Sequence, residues 1–472
     1  MELTITRSEL KTAVTGLSKI IPGKVTLPIL GAIRFEFKGK LTATATDLDQ
    51  TATFSFLNAT CSEEGMFILP LTALKELTKG ADRDQIQLVT APGNQIAITN
   101  NVAGNAIKFT VNALDPTEWP EMPVSIQHKP AVGFLETYRR LAPFTSDDST
   151  RFAINHVYID VEGKGDRPVC MVATDGRRLS VWNSMRFDLK RSTPVPKSRF
   201  LCWSGLTGEP QIGLSREKDR PCFGVKAGAW EYSSRVPELT YPGWRQVVPN
   251  YQEDPKLQRC CFTDKDAEAL KKILPTFPGH DTNTAEITLV GRDGRVSVAG
   301  RGQDAAVDTV LTLEGGSTYE GPGGHIGMNR TYLMDALAAG FRTFSFMDDL
   351  SPLLSKDDKG GTHVLMPART RYEPETREPA VNVTPVVTNA SEIETITKQV
   401  KENEMPEKTE EISALDRLQA TYETARMKVR EAQSTLADLA GLIKEVAKED
   451  RQRKAEVESV RSGLAKLQAI KV

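Results

Sequence analysis

The chain has 472 residues, 39% of them hydrophobic, and its 60 Lys and Arg residues nearly balance 62 Asp and Glu residues, giving a formal net charge of -2. This length predicts about three domains of roughly 100–200 residues each, and the charge balance excludes a globally basic nucleic-acid-binding protein. The N-terminus has no apolar signal segment and nowhere do about 18 apolar residues run together, so we expect no membrane association and a cytoplasmic location.

The cysteines are scattered and none belongs to a CxxC pair. We therefore expect free thiols in a reducing compartment, and neither a metal site nor disulfides. The six residues are Cys61, Cys170, Cys202, Cys222, Cys260 and Cys261.

The first predicted elements form a unit that recurs. An amphipathic helix over Ser8–Ile20 precedes an alternating hairpin over Leu41–Phe56 that turns at Thr46-Asp47. A second helix over Pro70–Gly80 follows a proline, and the strands QIQLVT, QIAITN and AIKFTV come next.

The same order returns twice. The second unit has predicted helices over Val132–Phe144 and Pro196–Leu206, with a hairpin over Val169–Asn183 that turns at Thr174-Asp175-Gly176. In the third, helices over Asp266–Phe277 and Asn329–Gly340 accompany a hairpin over Val296–Leu313 and the strands AEITLV and THVLMP. Equivalent turns lie 128 and 126 residues apart.

This order predicts α+β domains with helices on one face of antiparallel sheets. We place the three domains at residues 1–125, 126–253 and 254–370. Tandem copies can form a curved array that closes into a ring and so removes exposed sheet edges. Three unrelated α+β domains are the alternative.

Cationic residues recur on the polar faces of these helices. If the six helices face one hole, that hole is positive and suits a duplex phosphate backbone bound without base readout. The alternative is ordinary solvated helix faces. The residues are Lys11, Lys19, Lys75, Lys79, Arg139, Arg140, Lys197, Arg199, Lys271, Lys272 and Arg330, with Lys24 in a loop.

Five segments together resemble the bacterial replicative sliding clamp, the beta subunit of DNA polymerase III, and the resemblance covers Met1 to about Thr370. Their order and spacing make the likeness specific. They are TLPILGAIRFEF (Thr26–Phe37), TATDLDQTA (Thr44–Ala52), VATDGRRLSVW (Val172–Trp182), YPGWRQVVPN (Tyr241–Asn250) and HVLMPART (His363–Thr370).

The resemblance implies three DNA-clamp domains per subunit, helices inside and sheets outside, and a head-to-tail homodimer that forms a ring around double-stranded DNA. Such a nucleoid-associated processivity factor tethers the replicative polymerase, performs no chemistry, needs no cofactor and depends on a clamp-loader ATPase for opening. It binds short linear peptides of the polymerase, the loader and repair factors in a shallow pocket.

The implied pocket is an apolar groove with a basic rim, suited to peptides with Leu or Phe anchors. Gln246 replaces a usual basic residue and Ala368 a larger apolar one, so we expect a preferred peptide different from that of the family. The implied residues are Ile154, Thr174, Gly176, Arg177, Arg178, Leu179, Pro242, Gln246, Val247, Pro352, Val364, Met366, Pro367 and Arg369.

For DNA, the resemblance assigns Lys24 to a basic contacting loop and places Ser149 and Phe152 at further contact positions. For ring closure, it implies a contact between a first-domain strand and a third-domain helix of the partner. The interface residues are Phe109, Val111, Ile273 and Leu274.

The chain continues 102 residues beyond Thr370, where members of the family typically end. Residues 371–411 are rich in Pro, Glu, Thr and Val and are predicted to form a disordered linker. Residues 412–470 carry an apolar heptad that predicts a coiled-coil helix, and a lone amphipathic helix is the alternative. This extension could pair with itself or with a partner, and could tether a partner near the pocket or gate the pocket.

No motif indicates an enzyme. The histidines are isolated and there is no phosphate loop, nucleophile elbow or Cys/His metal spacing. Asp47, Asp49 and Asp175 could be imagined as the metal site of a nuclease, but their positions in equivalent turns favour a turn-forming role. A degenerate clamp acting as a coiled-coil scaffold is the other alternative.

Overall fold

A computed structural model describes residues 1–370 and 372, except 26, 103–104, 121–125, 162–168, 216–220, 252–253, 280–284, 303–304 and 306. The predicted linker and coiled coil lie outside the described residues, apart from Tyr372. No helix of the described part is long and apolar enough to cross a membrane.

The first 125 residues alternate short strands with two helices. The elements are β1 Glu2–Thr6, α1 Arg7–Leu17, β2 Ala32–Phe37, β3 Leu41–Thr46, β4 Gln50–Ser55, β5 Thr60–Cys61, β6 Gly65–Pro70, α2 Leu71–Leu77, β7 Gln85–Ala91, β8 Gln95–Val102 and β9 Asn105–Asn112.

One α-helix is described in residues 126–253. The elements are β10 Lys129–Pro130, α3 Phe134–Leu141, β11 His156–Asp160, β12 Val169–Thr174, β13 Arg178–Met185, β14 Thr193–Pro196, β15 Gln211–Leu214, β16 Cys222–Ala227 and β17 Trp230–Arg235. Three short 3-10 turns also occur here, at Ala142–Phe144, Phe152–Ile154 and Trp244–Val247.

Residues 254–370 again contain two helices. The elements are β18 Gln258–Cys261, α4 Asp264–Ile273, β19 Glu286–Arg292, β20 Arg295–Gly300, β21 Thr309–Thr312, β22 Thr318–Glu320, β23 Gly324–Asn329, α5 Arg330–Ala338, β24 Thr343–Phe346, β25 Leu353–Lys356 and β26 Gly361–Leu365.

Local capping explains where three helices begin. The Thr6 side chain accepts a hydrogen bond from the Glu9 backbone N–H at the start of α1. Thr263 caps α4 in the same way, and Asn329 caps α5. Such caps satisfy backbone N–H groups that have no partner inside the helix.

The strands form three antiparallel sheets, and two of them cross predicted domain boundaries. A five-stranded sheet has the order β5-β1-β7-β8-β9. An eight-stranded sheet, β10-β15-β16-β17-β4-β3-β2-β6, joins the first two predicted domains where β17 pairs with β4. A thirteen-stranded sheet, β14-β11-β12-β13-β26-β25-β24-β18-β22-β20-β19-β23 with β21 on β20, joins the second and third where β13 pairs with β26.

The first two of the three repeated hairpins turn by the same hydrogen bonds. Between β3 and β4, Thr46 Oγ1 donates to the Gln50 carbonyl oxygen, and Asp47 Oδ1 accepts from the backbone N–H groups of residues 49 and 50. Between β12 and β13, Thr174 and Asp175 make the equivalent bonds. Both turns contain a left-handed residue, Leu48 with φ 81° and Gly176 with φ 85°, so the turn-forming role predicted for Asp47 and Asp175 is confirmed. The Asp49 carboxylate does not take part in the turn and lies 4.0 Å from Arg235.

Three arginines bind backbone carbonyl groups where helices and turns end. Arg7, at 0% exposure, donates to carbonyl oxygens that follow α2, and Arg330, at 3%, donates to those that follow α4. Arg139 does the same for a turn segment, with acceptors on Leu201, Trp203 and Leu206 at 2.8–3.1 Å. These bonds supply side-chain donors to carbonyl groups at the ends of helices and turns, where backbone donors are scarce.

The predicted helix over Pro196–Leu206 is wrong, because Pro196 ends the strand β14 and only turns follow it. Two of its amides bond three residues back, Trp203 N to the Phe200 carbonyl at 3.1 Å and Leu206 N to the Trp203 carbonyl at 3.2 Å, and no run of bonds four residues back forms in this described segment. The aromatic side chains of Phe200 and Trp203 both pack on Trp230, with ring centroids 5.2 and 5.5 Å away. This packing at the β17–β4 junction overrides the weak helical pattern.

His363 is buried at the β13–β26 junction. Its Nδ1 lies 2.6 Å from Ser180 Oγ, and its ring packs between Phe144 and Phe341. Its Nε2 has no hydrogen-bond partner in the described part of the chain. Burial lowers the pKa of His363 to about 3, because a charged imidazolium has no solvation there.

Replacement of Arg330 should test its role at the carbonyl groups after α4. Arg330→Met should lower the free energy of unfolding by about 3 kcal/mol or more, because several buried carbonyls lose their donor. The exposed control Arg292→Met should change it by less than about 0.5 kcal/mol. Denaturant titration measures both, and equal small effects would show that the carbonyls find other partners.

His363 should make the folded chain sensitive to acid. Because its folded-state pKa of about 3 lies below the ordinary 6.5, the unfolded chain binds more protons between these pH values, and stability falls as pH falls through this window. Between pH 7 and pH 5 the free energy of unfolding of the wild type should fall by about 2 kcal/mol more than that of His363→Gln. Denaturant titrations at both pH values measure this, and His325→Gln, outside the junction, should retain the wild-type pH dependence.

Candidate functional site

The groove implied by the sequence lies where β13 runs beside β26. Leu179 and Val364 pair in register and are 4% and 3% exposed. They belong to a small apolar cluster, separate from the main core, that also contains Tyr241. This cluster is the candidate floor of the implied groove.

Several implied residues surround this floor. The Met366 backbone N–H donates to the Arg177 carbonyl oxygen at 2.9 Å and so continues the β13–β26 pairing towards the turn. Ile154, 8% exposed, lies under the same turn, since a Cβ built on Gly176 would be 4.0 Å from its Cδ1. Thr174 holds the turn through its hydroxyl.

Two irregular segments form the walls. Pro242, Gln246 and Val247 belong to a segment whose Tyr241 and Trp244 pack on the apolar floor. On the other side, the Tyr251 hydroxyl donates to the Pro352 carbonyl oxygen at 2.6 Å.

Apolar side chains in this region are open to solvent. Val247 is 55% exposed and Met366 is 50% exposed. Arg177 and Arg369 are exposed as well, and Pro367 is half-buried. The surface thus offers apolar contact area with adjacent cations, the chemistry expected for an apolar peptide anchor.

Gln246, which replaces a basic residue of the family pattern, folds back on its own segment. A Cβ built on Gly243 would be 3.2 Å from Gln246 Nε2. Ala368 makes an isolated antiparallel bridge with Gly327 in the third predicted domain. The backbone of the residues just after β26 is therefore fixed at this bridge.

Arg178 was expected to line the groove, but the structure places its side chain elsewhere. Its side chain is 7% exposed and its guanidinium donates to Asp175 at 2.9 Å, to Asp335 of α5 at 2.6 Å and to the Pro143 carbonyl at 2.9 Å. It also lies over the ring of Tyr332, 4.3 Å from the centroid. Arg178 therefore links the turn to α5 and is not available to a peptide.

Sequence reasoning missed residues that shape the groove. Arg151 covers the turn, with Nη1 3.1 Å from the Asp175 carbonyl oxygen. Trp244 and Tyr251 hold the walls, as described above. The aromatic residues that follow Leu239 in the sequence could have indicated the walls. Arg151 could not have been found in this way, because it precedes a short 3-10 turn that has no sequence periodicity.

Most of the proposed DNA-contacting cations are at least partly accessible. Lys19, Lys24, Lys75 and Lys272 have no acidic partner among the described residues. Ser149 and Phe152 are exposed, and the Phe152 ring meets His156 edge-on at 5.2 Å. Five other cations pair with acidic side chains: Lys11 with Asp82, Lys79 with Glu76, Arg140 with Glu136, Lys197 with Asp147 and Lys271 with Glu268.

Three predicted cations have other bonds. Arg139 and Arg330 bind the backbone carbonyls described above, so the structure contradicts a free phosphate-binding role for both. Arg199 is exposed, but its Nη2 donates to the Ile21 carbonyl at 2.9 Å, which joins the first and second predicted domains.

The proposed interface residues divide into two groups. Phe109 is 39% exposed and Val111 is half-buried, both on β9 at an edge of the five-stranded sheet. Ile273, the last residue of α4, is half-buried. Leu274 is 0% exposed within the chain itself, so its prediction as an interface residue is corrected: it is a core residue.

No group of three or more His, Cys, Asp or Glu side chains among the described residues could hold a metal ion. Asp47 is used by its own turn, and burial raises the pKa of its carboxyl despite the backbone N–H groups that it accepts. Asp175 is bound by the Arg178 side chain and two backbone N–H groups.

Comparisons with known proteins agree with this architecture. Residues 1–123 match the family model described as DNA polymerase III beta subunit, N-terminal domain. The curated "Beta sliding clamp" of Caulobacter vibrioides is 25% identical over 391 residues, which cover 78% of this chain and 100% of that protein.

Solved structures show the same fold. The sliding clamp of Bacillus subtilis has a TM-score of 0.66 at 19% identity, covering 78% of this chain and 99% of that one. The sliding clamp of Bartonella birtlesii, solved bound to griselimycin, has a TM-score of 0.65 at 21% identity, with coverage of 78% and 100%. The fold is that of the sliding clamps, with antiparallel sheets and few helices, and the chain is a DNA sliding clamp similar to the beta subunit of DNA polymerase III.

Proposed function

We propose that two copies of this chain close head to tail into a ring that encircles duplex DNA without reading its sequence. Each subunit contributes three domains, 1–125, 126–253 and 254–370. The ring holds the replicative polymerase on DNA and also takes the clamp loader and repair factors through short peptides. It acts by topology in the cytoplasm, at the nucleoid, and performs no chemistry of its own.

The observation that carries this proposal is the strand pairing between predicted domains. Two of the three junctions needed in each half of a six-domain ring already lie within the chain, at β17–β4 and β13–β26. Among the described strands, β9 pairs with β8 alone and β21 with β20 alone. These two edges can supply the third junction by pairing β9 of one copy with β21 of the other.

The exposed side chains on these edges support this junction. Ile107 is 50% exposed and Phe109 39% on β9, and Val310 is 51% exposed on β21. Apolar residues on an unpaired strand edge favour association with another edge. Val111 and Ile273, both half-buried, would complete the contact across the ring.

The binding of DNA would rest on cations that can exchange partners. Exposed ion pairs such as Lys11–Asp82 and Lys197–Asp147 contribute little stability, so their lysines can turn to phosphates at low cost. Lys24 and Lys272 are exposed. Such contacts are salt-dependent and independent of sequence.

The binding of peptides would use the groove between β13 and β26. Its floor of Leu179 and Val364 is buried, whereas Met366 and Val247 present apolar surface to solvent. Arg177 and Arg369 add positive charge beside it. A Leu or Phe anchor would gain by covering this surface.

For the extension, we propose that residues 412–470 form a coiled coil, with themselves or with a partner, and that the extension gates the groove or tethers a partner near it. The support is its place in the chain, directly after Arg369 at the groove. A linker of about 40 flexible residues would have a root-mean-square reach of roughly 35 Å.

Charges on β9 should open the ring. The wild-type chain of 52.0 kDa should sediment as a dimer, and the double variant Ile107→Asp with Phe109→Asp as a monomer, because two charges would enter an apolar interface. Val132→Asp, equally apolar and 73% exposed but away from β9, should remain a dimer.

The same variants test function on DNA. With a clamp loader and ATP, the wild type and Val132→Asp should stay on nicked circular DNA and slide off once it is linearised, while the β9 variant should not be retained. Equal retention on circular and linear DNA would contradict encirclement of the duplex. A β9 variant that remains dimeric would refute the proposed interface between β9 and β21.

A chain that ends at Thr370 should test whether the extension gates the groove. We expect it to bind a fluorescein-labelled octapeptide with one Leu and one Phe several-fold more tightly than the full chain, as measured by fluorescence anisotropy. Equal dissociation constants would eliminate gating and leave tethering of a partner.

A further inference from the structure

One wall of the groove consists of residues 241–247, which contain a 3-10 turn at Trp244–Val247 and no strand. Pro242 and Val247 are exposed on it. Because no strand ladder fixes this segment, its position depends on side-chain contacts with the sheet beneath.

Asp160, the last residue of β11, makes such a contact from below. Its side chain is 3% exposed, and its Oδ2 accepts both from Trp244 Nε1 at 2.9 Å and from Arg245 Nη1 at 2.8 Å. The Arg245 guanidinium also lies over the Trp244 ring, 4.4 Å from its centroid. One buried carboxylate therefore fixes two consecutive residues of the wall.

A second contact comes from the same face of β11. Tyr158, two residues before Asp160 and so on the same side of the strand, stacks on Tyr241 with ring centroids 4.4 Å apart and planes 2° apart. The wall is thus attached to β11 at its beginning through Tyr241 and near its middle through Trp244 and Arg245.

We propose that Asp160 is a positioning residue for the peptide groove, which holds the wall so that Val247 stands over the apolar floor. The proposal rests on the peptide-binding function given above. Asp160 is too buried to touch a peptide, so it can affect binding only through the residues that it contacts, and Trp244 and Arg245 are the two that belong to the wall. Without the carboxylate, the indole N–H and the guanidinium would lose a charged acceptor, and the wall would have no fixed position.

The test measures binding of the labelled Leu/Phe octapeptide to full-length variants by fluorescence anisotropy. Asp160→Asn keeps an acceptor for the indole N–H and loses the ion pair, and we expect about threefold weaker binding. Asp160→Leu loses both contacts, and we expect at least about tenfold weaker binding. The matched control described next separates this graded order from an effect of general destabilisation.

Asp308→Asn is the matched control, because Asp308 forms a two-point ion pair with Arg301 at 2.9–3.0 Å away from the groove. It should lower the melting temperature about as much as Asp160→Asn and leave the dissociation constant unchanged. If Asp160→Leu does not fold, the Asp160→Asn comparison with this control still decides the matter.

The possible failures are distinguishable. A wild type that does not bind the peptide, or that binds equally well after Met366→Asp, would contradict the proposed groove itself. The wild type could instead bind the peptide through the groove while Asp160→Asn and Asp160→Leu bind it with the same affinity. That result would overturn the positioning role of Asp160 and leave the groove itself intact.

Discussion

Strand pairing between distant parts of the chain is the constraint on which the other features depend. At the β4–β17 junction, residues 50–54 pair with 230–234, and at the β13–β26 junction, residues 178–182 pair with 361–365. Each junction makes main-chain hydrogen bonds that cannot be lost singly without exposing unpaired groups. The buried position of His363, the proposed peptide groove and the proposed ring all follow from this continuity.

The groove itself is a product of the second junction. Its floor consists of paired residues from both sides, Leu179 and Val364, so neither predicted domain could form it alone. Its walls are irregular segments held by polar groups, the buried Asp160 on one side and the half-buried Tyr251 on the other. A rigid sheet thus carries walls whose side chains can differ among clamps without any change in the fold.

Local patterns predicted much of this architecture. The hairpin turns at Thr46 and Thr174 were recognisable because Thr-Asp pairs bond their own backbone, and the structure confirms them in detail. Helices with a capping residue, such as α4 after Thr263, were predicted within a few residues of their observed ends. The helix after Pro196 was wrong because aromatic packing at a junction, which no local pattern reports, decides its conformation.

The roles of individual side chains were harder to predict than the elements that carry them. Arg139, Arg178 and Arg330 all looked like surface cations, yet each is held by carbonyl or carboxylate groups from distant segments. Leu274 looked like one more residue of an apolar patch and is part of the core. Sequence shows charge and hydropathy, but only the folded chain shows which partner comes within hydrogen-bonding distance.

The central claim is that the outer edges of β9 and β21 close two copies of the chain into a ring. Electron microscopy of the purified full-length protein tests it most directly. The account predicts closed rings of two subunits with six similar lobes around a hole wide enough for duplex DNA. Open arcs, separate monomers or compact particles without a hole, at concentrations where the protein is otherwise intact, would contradict it.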